Sequence, residues 1–244
     1  MNDAEAVTWG RRRLDPGTPR GLWQTFTVSV GLLAALAFCG LTWDVVGHHG
    51  LAWHDPHVTA WAVAHRTGWL TGVFKVVTWL ASVVVIIPVG LIVGFFFGLR
   101  RHRWGPLALL TAAIAGAAAS YYLIKPLVGR PRPPPAIWIG HFSSAAFPSG
   151  HATQSVACYA ALAVILGAGR SVRAKAALWG TAALIALIVG ASRIYLGAHW
   201  LTDVLGGYAL GTWWVAVVTI VTLAVSSRKG ASAPPADEED ADRS

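Results

Sequence analysis

Six apolar runs, each long enough to cross a bilayer, constrain this chain more than any other feature. They lie at about Leu22–Leu41, Leu70–Leu99, Trp104–Ile124, Ser149–Leu166, Ala174–Ala191 and Trp200–Val225. A helix of ~20 apolar residues spans the hydrocarbon core, where every backbone polar group must find its partner within the protein. The chain therefore reads as an all-α integral membrane protein. The expected architecture is a six-transmembrane-helix bundle, with a short interfacial helix at about Val58–His65 in the first outer loop. Charged residues make up 12% of the 244, about half the share in a soluble domain.

One membrane domain, 22–225, is expected between an N-terminal cytoplasmic segment, 1–21, and a disordered cytoplasmic tail, 226–244. The tail combines Pro234 and Pro235 with Asp237, Glu238, Glu239 and Asp240, which cannot build a core. The first run is too long for a signal peptide's apolar region and reads as a membrane helix. The run Leu70–Leu99 is long enough to tilt or to begin in the interface, and Pro88 within it invites a kink. Trp23, Trp43, Trp69, Trp104 and Trp200 stand near span ends, as an aromatic belt would. Gly207 and Gly211 are spaced for close helix packing.

Basic residues set the orientation. Arg11, Arg12, Arg13 and Arg20, then Arg100, Arg101 and Arg103, then Arg170, Arg173 and Lys175, then Arg228 and Lys229 fall on one side. The positive-inside rule makes that side cytoplasmic and places both termini there. The net charge of +8 thus belongs to membrane topology, and no nucleic-acid partner is expected. Cys39 and Cys158 lie inside apolar runs, where thiols behave as small hydrophobes. His48, His49, His54 and His57 crowd the first outer connection but match no zinc-ligand spacing.

The opposite side holds Arg66, Lys75, Lys125, Arg130, Arg132 and Arg193, and most of these belong to three polar groups. Ionisable residues at the ends of membrane helices are costly and point to function. The first group is Lys125, six residues, then Arg132-Pro133, in a Pro-rich stretch from Lys125 to Pro148 read as non-helical. Lysine offers a point charge and arginine a planar fork, both suited to phosphate oxygens. The second is Pro148-Ser149-Gly150-His151. Here a serine N-cap begins an apolar helix whose free N–H groups attract an anion, and His151 in its first turn could donate a proton. The third is Ser192-Arg193, five residues, His199, three residues, Asp203. His199 and Asp203, four apart, share a helix face, so the carboxylate can orient the imidazole. Arg193 and Ser192 would add donors to the same phosphate.

Together these motifs resemble the tripartite signature of the type 2 phosphatidic acid phosphatase (PAP2) superfamily, over about Trp53 to Val225. The resemblance implies a phosphatase without metal or cofactor. It implies His199 as the nucleophile of a phosphohistidine intermediate, Asp203 as its orienting carboxylate, and His151 as general acid. It implies Lys125, Arg132, Ser149, Gly150 and Arg193 as phosphate binders, with Ser192, Pro148 and Pro133 in support. The family spacing from Lys125 selects Arg132 over Arg130, which reads as flanking.

The expected substrate is a membrane lipid phosphate or pyrophosphate met at the outer face of the bilayer. The outward site favours a polyprenyl (undecaprenyl-type) diphosphate. Phosphatidylglycerol phosphate and phosphatidic acid stand as alternatives, as do a lipid-linked phosphotransferase and a non-enzymatic transporter or scaffold.

Overall fold

The computed structural model describes residues 19–231. Its helices are α1 (Pro19–Gly47), α2 (Asp55–Ala64), α3 (Gly68–Val77), α4 (Val83–Arg101), α5 (Gly105–Val128), α6 (Gly150–Gly167), α7 (Val172–Tyr195) and α8 (Leu201–Ala231), with no strand among the described residues. Six of these, α1 and α4 to α8, are long and apolar enough to span a membrane. The fold is the expected six-helix membrane bundle, and α2 is the short helix of the first connection. Residues 1–18 and 232–244, with most of the expected cytoplasmic head and tail, lie outside the described residues.

The bundle is built around α6. Its apolar window is 61% buried, against 17–39% for the other five spans, so α6 is the axis and the rest form its wall. It packs against α5, α7 and α8, while α1 lies along α8 and α4 along α5. A core of Ile86, Leu110, Ala113, Cys158, Ala161 and Val218 joins α4, α5, α6 and α8. The outer wall presents chains such as Leu33, Leu36, Leu123 and Leu187, all well exposed, as a surface solvated by lipid should.

Lipid tails are as apolar as leucine, so helices in a membrane gain by fitting closely more than by hiding oil. The contact of α6 with α8 shows this. A Cβ added at Gly207 would lie 2.6 Å from the Ser149 carbonyl oxygen, and one at Gly211 would lie 2.7 Å from that of Thr153. The two backbones meet directly, as the spacing of these glycines predicts. Trp23, Trp43, Trp69 and Trp104 are exposed near span ends. Trp200, partly exposed just before α8, donates its indole N–H to the Pro131 carbonyl (2.9 Å).

Three boundaries differ from the sequence expectation. The run Leu70–Leu99 is not one helix: α3 passes through a 3-10 turn, Thr78–Ala81, and α4 starts afresh. Ser82 causes the break. Its backbone is extended, its hydroxyl donates to the Trp79 carbonyl (2.8 Å), and its carbonyl accepts from Val85 and Ile86. Pro88 then falls within a continuous α4.

The stretch from Lys125 to Pro148 is not wholly non-helical, since α5 runs through Lys125 and Pro126 to Val128. Proline's missing N–H removes one bond from a last turn that needs few more. Gly129, at φ 61°, ends the helix and donates to the Lys125 carbonyl (2.9 Å). Finally, α8 continues to Ala231, past the Val225 expected to close the domain.

Candidate active site

All three motifs meet at one end of the bundle. Lys125 ends α5, His151 begins α6, Arg193 ends α7, and Asp203 stands in the first turn of α8. The loop 129–149 folds over that end. It is closed on itself by Ala146 N–H to the Arg130 carbonyl (2.8 Å) and tied to the end of α7 by Ile139 N–H to the Leu196 carbonyl (2.9 Å). Its closest approach is at Gly197, φ 73°, where a Cβ would lie 2.5 Å from the Ile137 carbonyl oxygen. Only glycine fits there.

The pair His199 and Asp203 is buried, at 2% and 0% exposure. His199 Nδ1 lies 3.3 Å from Asp203 Oδ2, which also accepts the Trp200 N–H (2.9 Å). On the other side of the ring, Arg132 Nη1 lies 3.2 Å from Nε2. Arginine can only donate, so Nε2 is the acceptor and Nδ1 carries the proton. The lone pair therefore points into the cationic group. Burial first, and then the charges of Arg132, Arg193 and Lys125, hold the His199 pKa well below its usual 6.5. The ring is neutral at pH 7.

Arg132 meets that lone pair directly, and Lys125 and Arg193 add their charge to its surroundings. Lys125 Nζ donates to the Ala145 (2.5 Å) and Ala146 (3.4 Å) carbonyls. Arg132 donates to the Ser144 carbonyl (2.7 Å), the Ser144 hydroxyl (3.1 Å) and the Ala198 carbonyl (2.6 Å). Arg193 donates to the Thr78 hydroxyl (2.8 Å), while its buried Nε has no hydrogen-bond partner. A buried, unpaired N–H costs ~1–3 kcal/mol, a cost that an oxyanion would remove. The Phe142 ring sits between two guanidinium groups, 5.1 Å from Arg132 and 5.2 Å from Arg193. His151, Arg193 and Phe142 share a cavity of about 440 Å³ with Lys75, Thr78 and Ser82. The break at Ser82 thus shapes one wall of the site.

Ser149 is the N-cap of α6, accepting from Ala152 N–H (3.5 Å), and its own N–H donates to the Asp203 carbonyl (2.9 Å). Gly150 packs on Tyr121, whose ring a Cβ would approach to 3.1 Å. Pro133 and Pro148 are fully buried. Ser192 is the exception in the set: its hydroxyl donates to the Val189 carbonyl (2.5 Å) in its own helix. It therefore does not add a donor toward the phosphate region.

Arg130 is more than flanking. Its Nη1 donates to Asp203 Oδ1 (2.6 Å) and the Thr202 hydroxyl (2.7 Å), and its Nη2 to Asp55 Oδ2 (2.6 Å). Asp55, Thr202, Thr78 and Phe142 escape the sequence reading. The only trace of Asp55 is a carboxylate opening an interfacial helix before Pro56, which looks like an ordinary helix start.

Comparison with known proteins places this arrangement. The sequence profile of the PAP2 superfamily matches residues 105–226, which hold every motif residue. The chain belongs to the PAP2 superfamily. It is 33% identical over 159 residues to phosphatidylglycerophosphatase B of Bacillus subtilis, covering 64% of this chain and 77% of that protein. A lipid A 1-phosphatase of Rhizobium johnstonii is 31% identical over 126 residues, 48% of this chain and 47% of that one. The crystal structure of a transmembrane PAP2-type phosphatidylglycerolphosphate phosphatase from Bacillus subtilis superposes with TM-score 0.71 at 28% identity, covering 82% of this chain and 96% of that one. This PAP2 protein is thus a multi-pass membrane phosphatase.

Proposed function

We propose that this PAP2 phosphatase removes a terminal phosphate from a membrane lipid through a phosphohistidine on His199. The observation that carries the reading is the oriented imidazole. Asp203 holds Nδ1 at 3.3 Å, and Nε2 points at Arg132 among three cations. In the first half-reaction the Nε2 lone pair attacks phosphorus and the bond to the lipid oxygen breaks. His151 gives that oxygen its proton. In the second, His151 takes a proton from water as the water oxygen attacks the phosphohistidine, the P–N bond breaks, and inorganic phosphate leaves with both histidines restored. Lys125, Arg132 and Arg193 hold the phosphoryl oxygens, with the start of α6 at Ser149 and Gly150 adding N–H donors. Arg132 must move from Nε2 to a phosphate oxygen as substrate binds, which frees the nucleophile when its target arrives.

The substrate class favoured is a lipid phosphomonoester of the phosphatidylglycerol phosphate type. An outward-facing site would suit a polyprenyl diphosphate, but the side of the membrane alone does not select among lipid phosphates. The relatives named for phosphatidylglycerophosphate and lipid A 1-phosphate weigh toward a monoester. The distribution of arginines supports a site on the outer face, with both termini inside.

Phosphate release by purified protein from phosphatidylglycerol phosphate, phosphatidic acid and undecaprenyl diphosphate tests this directly. The expected order places phosphatidylglycerol phosphate first, with activity persisting in chelator. His199→Ala should lower the rate by about 10³-fold or more. Release that survives this change, or that depends strictly on a divalent ion, would defeat the mechanism. A clear preference for the diphosphate would defeat the substrate assignment.

A further inference from the structure

Asp55 opens α2, far in sequence from every motif, yet it is only 1% exposed. Its Oδ2 accepts from Arg130 Nη2 (2.6 Å) and from the Thr202 hydroxyl (2.5 Å), and its Oδ1 from the Thr202 N–H (3.0 Å). Arg130 reaches the other way to Asp203 Oδ1 (2.6 Å). One guanidinium therefore bridges two buried carboxylates, the second of which faces His199. A lone carboxylate beside a phosphate site would repel the substrate, and burying it unpaired would cost several kcal/mol. Here its charge is spent on Arg130, whose fork is filled on both sides.

We propose that Asp55 is a positioning residue for phosphoryl transfer. Through Arg130 and Thr202 it fixes the Asp203 carboxylate, and with it the His199 ring, and it keeps Arg130 out of the phosphate-binding set. The proposal rests on His199 being the nucleophile. It makes the interfacial helix α2 part of the reaction apparatus, because the carboxylate that begins this helix also binds the first turn of α8. The three cations proposed to grip phosphate make no hydrogen bond or ion pair with Asp55. Loosening the bridge should therefore slow the chemical step and leave substrate binding alone.

The test is steady-state and single-turnover kinetics of Asp55→Asn, Arg130→Lys and the double variant, using purified full-length protein and phosphatidylglycerol phosphate in detergent micelles. A lysine keeps the charge but cannot bridge two carboxylates as a fork does. Each single variant should lose at least tenfold in kcat with KM within twofold. The double variant should be no slower than the worse single, since both break one bridge. A kcat within twofold of the parent, a loss carried by KM, or additive losses would overturn the proposal.

If Asp55→Asn does not fold, Thr202→Val removes only the bridging hydroxyl. It should lower kcat at least threefold at unchanged KM, and an unchanged kcat there also overturns the proposal. His199→Ala, run alongside, separates the two readings. Activity surviving that change removes the nucleophile and this role with it. Activity lost there but retained in Asp55→Asn overturns the positioning role alone.

Discussion

Replacing Gly207 by alanine should cripple the enzyme through a single methyl group placed well below the reacting atoms. The added Cβ would lie 2.6 Å from the Ser149 carbonyl oxygen, 2.8 Å from Ala152 Cβ and 3.2 Å from Thr153 N. Two of these three are backbone atoms of α6's first turn, so no side chain can swing aside. An ordinary contact needs ~3.5 Å or more, so α8 must retreat from α6 by about 0.8–0.9 Å here. The methyl sits one turn below Asp203 and directly beneath the Ser149–Gly150–His151 start of α6. It therefore strains the bond from Ser149 N–H to the Asp203 carbonyl (2.9 Å) and shifts His199 relative to His151.

Misplacement of ~1 Å can cost ~10²-fold in rate, and overpacking costs ~1–3 kcal/mol in stability. The expected outcome is a kcat/KM about 10²-fold lower with a modest fall in Tm, read by phosphate release and thermal unfolding in detergent. Gly180→Ala is the control, because a Cβ there meets nothing within 4 Å; it should leave kcat/KM unchanged. If Gly207→Ala retains activity within twofold while folded, direct backbone contact does not set the site geometry, and the reasoning fails.

Two further outcomes follow from the site. Phe142→Leu removes the ring between Arg132 and Arg193, whose cation–π contacts are worth ~0.5–2 kcal/mol each. The two guanidinium groups should then wander, and KM for the lipid phosphate should rise several-fold with a smaller change in kcat; an unchanged KM would count against it. The second concerns His199, whose pKa is lowered in the fold. Above pH 6.5 the imidazole is neutral in both folded and unfolded chains. Below 6.5 the unfolded chain takes up a proton that the folded one refuses, so stability falls as pH falls. Between pH 7.5 and 5.5, His199→Asn should lose less Tm than the parent; an equal loss would show that His199 is not held neutral.

The sequence reveals the motif residues because charge at the end of a membrane helix stands out against its surroundings. Lys125, Arg132, His151, Arg193, His199 and Asp203 all converge at one end of the bundle as their positions suggest. What stays hidden has no local signature. Asp55 meets Arg130 across 75 residues of chain, and nothing near Asp55 distinguishes it from a helix cap. The break at Ser82 is masked because hydropathy reads its neighbours as continuous oil, while the deciding event is one serine turning extended. Ser192 errs the other way. A hydroxyl inside a motif invites a role at the phosphate, but a buried serine on a helix can satisfy itself on its own backbone, and here it does.

The charges at this end of the bundle also bear on the substrate. Arg130 is committed to Asp55 and Asp203, so the cations left to receive a ligand are Lys125, Arg132 and Arg193. Two carboxylates set against four cations leave an excess of two positive charges while His199 is neutral, and in the proposed mechanism the proton on His151 adds a third. A phosphomonoester carries about −1.5 to −2 at pH 7, which this excess offsets in a site where uncompensated charge is costly. A protonated His199 would add to the excess and could not attack. On the proposed mechanism the surplus cations do two things at once, drawing in the phosphate dianion and keeping the His199 lone pair free to attack.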